Sequence, residues 1–263
     1  MNPSRDASLL QIDPYVVNTH AFWWRRARAQ GLGPLGIYPI PDLPVPEGQG
    51  RKFLDVGCSW GRWSISAARL GYDVYGVDSS LEAIEAARRI ARQLGLSIDY
   101  RLASAGELPF SSLEFDQVFS YNVFPYLKRS DSLRAIAEAW RVLKPGGGMK
   151  LQMANRWGIR NLAHVAAKAV SEHGILDGGE QYWSPGDLLK EASALMDRPT
   201  LKAWGFFCLD SEPCDLPYIG WKNRAFLCIS QFLRNRALKS GWMHWFADSL
   251  SLEALRDSRG TRP

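Results

Sequence analysis

Residues 53–63 read Phe-Leu-Asp-Val-Gly-Cys-Ser-Trp-Gly-Arg-Trp, an apolar run that breaks at Gly57 and resumes with helical spacing. Such a stretch is a buried strand that turns directly into a helix. The pattern then repeats. Strands are expected at 52–58, 73–78, 97–103, 115–121 and 148–154, with helices at 61–70, 80–95 and 130–144 between them. Ser80 and Ser130 stand where N-caps belong, and Lys144-Pro-Gly-Gly-Gly148 stops the last of these helices. Strand–helix alternation of this length predicts an α/β chain, a Rossmann-like, doubly wound and mostly parallel sheet of six or seven strands with helices on both faces.

Around that core the composition shifts. Residues 1–50 read as an N-terminal cap segment and linker, with a short helix at 20–30 and a proline- and glycine-rich connection at 31–50. Residues 51–212 form the central domain, with a helical lid near 155–185, a capped helix at 184–195 and a sixth strand at 200–210. Residues 213–263 read as a basic, aromatic tail of two helical segments, in which no seventh strand is legible.

The four cysteines show no paired spacing and no histidines at zinc distance, so no metal is expected, and a reduced, cytoplasmic compartment fits. The N-terminus lacks an apolar signal core, and no run of about 18 apolar residues occurs. Residues 218–263 hold eight bases against three acids, a surplus equal to the net charge of +5, which leaves the rest of the chain neutral. A neutral body offers no electrostatic footprint for nucleic acid.

The open question is what the turn after the first strand holds. A dinucleotide fingerprint needs glycine at 57, 59 and 62, and the chain has Gly57, Ser59 and Arg62. Instead, Asp55, Gly57, Ser59 and Gly61 resemble the first motif of class I S-adenosylmethionine-dependent methyltransferases. The resemblance continues in order through Val-Tyr-Gly-Val-Asp-Ser-Ser (74–80), Glu-Leu-Pro-Phe (107–110), the segment 115–127 and Arg-Val-Leu-Lys-Pro-Gly-Gly-Gly (141–148). It covers roughly residues 51–154.

The resemblance implies S-adenosyl-L-methionine as cofactor and a methyl transfer as activity. It assigns Asp78 to the ribose hydroxyls, and Asp55, through water or directly, to the ammonium group. Gly57, Cys58, Ser59 and Gly61 form the turn along the methionine portion. Ser79, Ser104 and Ala105 lie by the adenine, with Ser104 where the family commonly has an acid, and Tyr121 and Asn122 lie at the exit of the fourth strand. A carboxylate accepting two hydroxyl protons suits the ribose role.

An oxygen acceptor must also lose a proton, and Tyr126, His20 and His164 are the candidate groups for that step. Trp24, Asn155, Arg156 and Tyr182 are candidates for contact with the acceptor. The expected acceptor is a small molecule, most readily a hydroxyl oxygen on a lipid-linked, glycan, quinone or secondary-metabolite intermediate. A nucleic-acid or protein methyltransferase, or a non-catalytic domain on the same fold, is the alternative. In the tail, Phe226, Ile229 and Leu233 make an apolar stripe edged by Lys222, Arg224, Arg234 and Arg236, with Trp242 and Trp245 beyond it. That pattern fits either peripheral contact with the inner membrane face or packing on the domain or on a second copy.

Overall fold

The computed structural model describes residues 12–19, 38–162, 182–207 and 212–258. In chain order its regular elements are α1 (Pro14–Thr19), β1 (Lys52–Val56), α2 (Arg62–Arg69), β2 (Asp73–Asp78), α3 (Leu81–Gln93), β3 (Asp99–Leu102) and β4 (Phe115–Ser120). They continue with α4 (Arg129–Val142), β5 (Leu143–Ala154), α5 (Pro185–Leu195), β6 (Thr200–Gly205), α6 (Trp221–Ala237) and β7 (Ser249–Leu255). Short 3-10 turns occupy Phe124–Tyr126, Pro213–Tyr218 and Met243–Phe246.

The strands form one sheet in the order β3-β2-β1-β4-β5-β7-β6. All neighbours are parallel except β7, which runs antiparallel to both β5 and β6. Alternate residues of β1 serve opposite faces. Leu54 and Val56 join a core with Ala135, Ile136 and Ala139 of α4, whereas Phe53 joins Trp63 and Ala67 of α2. The helices therefore cover both faces, which is why these strands read as nearly continuous apolar runs. The strand order reverses between β1 and β4, and the crevice at their carboxyl ends is where a ligand fits in such a sheet.

Several expectations are adjusted by the structure. Ser80 caps α3, its hydroxyl accepting from the Ala83 N–H. Ser130 does not cap α4. That helix starts at Arg129 with extended Lys128 before it, because the preceding 3-10 turn delivers the chain earlier than the sequence signal suggests. The Pro-Gly run belongs to β5, where Leu143 pairs with Phe115 before an irregularity restores register at Gly148 opposite Gln117. The expected helix at 20–30 lies outside the described residues, as does most of the lid.

The largest correction concerns the tail. Ser249–Leu255 is a strand, so the sheet has seven, and the domain extends well past residue 212. Its sequence, Ser-Leu-Ser-Leu-Glu-Ala-Leu, is rich in good helix formers, and local propensity points the wrong way. Insertion between β5 and β6 decides the matter. Leu250 and Leu252 are fully buried, and Glu253 meets both Lys150 and Lys202, at 3.1 and 2.6 Å. Arg256 then ties the strand's exit to the end of α4 through the carbonyls of Trp140 and Leu143.

Because β7 is paired on both sides, its core residues carry the far half of the sheet. Leu252→Ala is expected to cost about 2–5 kcal/mol, the usual range for truncating a buried leucine. Urea unfolding checks this: the midpoint should fall while the slope stays unchanged.

Candidate active site

At the switch point, Gly57 leaves β1 with φ +75°, and its N–H and that of Cys58 both donate to the Val77 carbonyl of β2. The turn is thereby folded back over the end of β2. Ser59 follows in the left-handed region at φ 49°, where glycine is at ease and serine is tolerated with some strain. Its backbone N–H donates to Asp78 Oδ2 at 2.9 Å, and the Ser80 N–H donates to Oδ1 at the same distance. Both carboxylate oxygens are thus fixed from behind, and their remaining lone pairs are left for a ligand.

The glycines serve the protein's own packing more than ligand clearance. A β-carbon at Gly57 would stand 2.0 Å from Val123 Cγ2, and one at Gly61 would stand 2.1 Å from the Tyr100 hydroxyl. Val123 belongs to the exit of β4. There Asn122 takes φ 57°, with its N–H donating to Gln152 Oε1 at 2.6 Å, while Gln152 Nε2 donates to the Ser249 hydroxyl of β7. One side chain on β5 therefore fixes the loop after β4 by way of the seventh strand.

These turns enclose a cleft of about 400 Å³. Of the residues expected in a cofactor site, it is lined by Gly57, Cys58, Ser59, Asp78, Ser79, Ser104, Ala105, Tyr121 and Asn122, together with Tyr126. Trp60, Arg62, Trp63 and Val123 also line it and were not foreseen. Arg62 and Trp63 stand at the end of the opening motif, but nothing local marks them as facing the cleft rather than solvent or core. Cys58 is buried, and burial pushes its thiol well above the ordinary range, so it stays protonated.

Asp55 does not reach the cleft. It is 1% exposed on the floor beneath it, where it accepts from the Ser64 hydroxyl at 2.6 Å. Burial raises its pKa to about 7, with the Ser64 hydrogen bonds pulling the other way. Gly61 is likewise not part of the lining, serving as the left-handed residue that opens α2.

The expected acceptor contacts are mostly redirected. Asn155 is fully buried, its Nδ2 donating to the carbonyls of Trp245 and Ala247, and its Oδ1 accepting from the Trp157 N–H. It braces the junction of β5 and β7, because an asparagine there satisfies three backbone groups that no strand can reach. Arg156 is exposed and Tyr182 half-buried, and neither borders the cleft. Trp24, His20 and His164 lie outside the described residues. Of the N-terminal segment, the described helix α1 lies near the cleft. α1 lies against α3, and burial raises the phenol of its Tyr15, opposed by hydrogen bonding to Ser59 and Ser80 and reinforced by nearby Asp78. The tail helix α6 docks through Leu227, Ser230 and Ala237, with Leu233 against the core, and leaves Phe226 and Ile229 of the foreseen stripe exposed.

Comparison with known proteins bears on this geometry. Residues 53–147 match the family model described as a methyltransferase domain. The chain is 40% identical over 113 residues to the ubiquinone biosynthesis O-methyltransferase of Cereibacter sphaeroides, covering 43% of this chain and 44% of that protein. With the protein of the same name from Roseobacter denitrificans it shares 34% identity over 146 residues, 54% and 57% of the two chains. The chain spans about half the length of the curated relatives it matches. A SAM-dependent methyltransferase structure from Methanosarcina mazei superposes with a TM-score of 0.57 at 18% identity, over 82% of this chain and 99% of the other. One from Archaeoglobus fulgidus gives 0.53 at 13% identity, over 93% and 100%. At these identities the structural likeness is one of fold.

A buried acid with a raised pKa binds its proton more tightly when folded than when unfolded. The stabilisation from Asp55 protonation is present at low pH and is lost as pH rises from the ordinary aspartate value of 3.8 towards about 7. Asp55→Asn removes that dependence. Melting curves between about pH 4 and pH 7 should therefore fall more steeply for the parent chain than for the variant.

Proposed function

We propose that this chain, whose residues 53–147 match the methyltransferase-domain model, is a class I S-adenosylmethionine-dependent enzyme that transfers a methyl group to a hydroxyl oxygen of a small, quinone-type acceptor. The observation that carries the reading is Asp78: a carboxylate held by two backbone N–H groups, with its free lone pairs turned to a cleft at the sheet's switch point. A vicinal pair of ribose hydroxyls fits that acceptor geometry. The small residues Ala103, Ser104 and Ala105 in the same lining leave room for an adenine ring, with no side-chain acid among them. When bound, the cofactor supplies a methyl group on a positively charged sulfur.

The chain's own residues then have limited tasks, which are to bind, align and keep out water. Asp78 anchors one end of the cleft. Tyr121, Val123 and Leu127 also line it, and Tyr126, 62% exposed, stands at the rim where the acceptor hydroxyl would enter. Cys58, the one cysteine in the lining, is held as a thiol and takes no part as a nucleophile. The acceptor oxygen would take the methyl group as its bond to sulfur breaks, the sulfur would leave as a neutral thioether, and the hydroxyl proton would pass to water at the open rim. The quinone-type acceptor rests on the relatives' printed names and on the aromatic cleft wall.

A second part of the reading concerns where the acceptor is met. Trp221, Phe226, Ile229 and Phe232 of α6 are exposed, between 48% and 75%, with Lys222, Arg224 and Arg236 on the same helix. Trp157, Ile159, Leu162, Trp242, Trp245 and Phe246 form another apolar patch. No described helix is long and apolar enough to cross a membrane. Aromatic and basic residues together suit reversible contact with an anionic bilayer surface, at about 1 kcal/mol per base near it.

Calorimetry with S-adenosylhomocysteine tests the first part. The parent chain should bind, and Asp78→Ala should lose about 2–3 kcal/mol, the worth of a charge-assisted hydrogen-bond pair. A folded variant with unchanged affinity defeats the assignment. For the second part, co-sedimentation with anionic vesicles at low salt should capture the parent chain and release it at high salt. The triple change Phe226→Ser, Ile229→Ser and Phe232→Ser should reduce capture, and absence of capture for the parent removes the membrane reading.

A further inference from the structure

The Asp78 carboxylate is held by the backbone N–H groups of Ser59 and Ser80, which belong to two different turns, one leaving β1 and the other leaving β2. The turns must keep their spacing if both carboxylate oxygens are to stay aimed. Ser59 does so under strain, since at φ 49° it occupies the left-handed region that favours glycine. Glycine would hold the same backbone more easily, so the serine hydroxyl calls for a role of its own.

Its partner is Tyr15. The phenol hydrogen-bonds the side chains of both Ser59 and Ser80, within the field of the Asp78 charge. Ser80 Oγ already accepts from the Ala83 N–H at 3.2 Å, which leaves its own proton to donate to the phenolic oxygen. Burial keeps the phenol protonated, so it has a proton to donate in turn. Tyr15 is carried by α1, a helix of six residues and too short to persist alone. The anchors of that helix lie elsewhere. The Asp13 carboxylate accepts from Arg89 Nε at 2.8 Å and Nη2 at 3.2 Å, and also from the Tyr15 N–H at 2.9 Å. The Asp13 N–H donates to the Tyr38 hydroxyl, which donates to Gln93. Val16, fully buried, packs with Trp60, Ile65, Ala86 and Ile90. Tyr15 is therefore brought to the serines by contacts independent of its own hydroxyl.

We propose that Tyr15 is a positioning residue for cofactor binding: its phenol staples the turn after β1 to the turn after β2, and so keeps Asp78 aimed at the ribose hydroxyls. The inference rests on the methyltransferase reading and extends the site to a residue outside the matched segment 53–147. Tyr15 is not among the residues lining the cleft, so it acts through the two serines and not on the ligand. It also gives the Ser59 hydroxyl a purpose that the backbone alone does not.

Calorimetry with two probes tests it: S-adenosylhomocysteine, and 5′-methylthioadenosine, which keeps the ribose but lacks the amino-acid end. Tyr15→Phe retains the ring and removes only the hydroxyl. Both probes should weaken by about three- to tenfold, the reach of one neutral hydrogen bond. Ser59→Gly should do the same, and the double variant should bind no worse than the weaker single. In an Asp78→Ala background, Tyr15→Phe should cause no further loss, because its effect passes through that carboxylate. Unchanged affinity in a folded Tyr15→Phe chain overturns the inference. So does an equal loss with and without Asp78, or a loss confined to S-adenosylhomocysteine, which would place the effect at the amino-acid end. Should Tyr15→Phe fail to fold, Ser59→Gly decides, and unchanged affinity there overturns the inference. Failure of the parent chain to bind either probe brings down the methyltransferase reading itself, and with it this one.

Discussion

Gly57 approaches the exit of β4 so closely that a single added carbon would stand 2.0 Å from Val123. This contact brings two turns from different strands into one wall. On one side, the turn after β1 lays its N–H groups against the Val77 carbonyl and, through Ser59, against Asp78. On the other, Asn122 is held in a left-handed conformation by Gln152. The cleft exists because these turns are fixed by hydrogen bonds from their backbone N–H groups to neighbouring strands, and the cleft-facing Asp78 carboxylate inherits that rigidity.

Beneath and beside the cleft the protein keeps ionisable groups out of water. Asp55 has a serine hydroxyl as its side-chain partner and drifts toward its protonated form. Arg62 keeps its charge because Asp215 crosses from a distant segment to meet it. The difference follows from the partner: a neutral hydroxyl compensates a buried carboxylate only in part, whereas an opposite charge with two hydrogen bonds compensates a guanidinium. The 213–218 turn is thereby coupled to the first turn of α2, and Glu212 links it onward to Trp204 of β6. Residues far apart in sequence build one side of the same cleft.

The sequence carried the parallel half of the fold and the cleft corner around Gly57 and Asp78 because their signals are local. Strand–turn–helix transitions, the acid ending β2 and the Ser80 cap are each set by a few adjacent residues. What it missed required partners. Asn155 sits in a polar stretch that reads as an exposed contact, yet Trp245 and Ala247 bury it. Asp55 looks like a ligand-facing acid, but strand alternation turns it beneath the floor. Ser130 has the chemistry of a cap and the wrong place relative to the preceding turn.

By itself the amino-acid sequence determined the alternating core from Lys52 to Ala154, the turn at Gly57 and the placing of Asp78 at the mouth of the sheet. Short-range sterics and hydrophobic period govern these features, and both are written in neighbouring residues. Tertiary structure alone decided that Ser249–Leu255 is a strand, since its helix-forming residues become a strand only when β5 and β6 offer hydrogen bonds on both edges. It decided likewise that Arg62 faces the cleft, because the carboxylate that makes its burial tolerable lies 153 residues away.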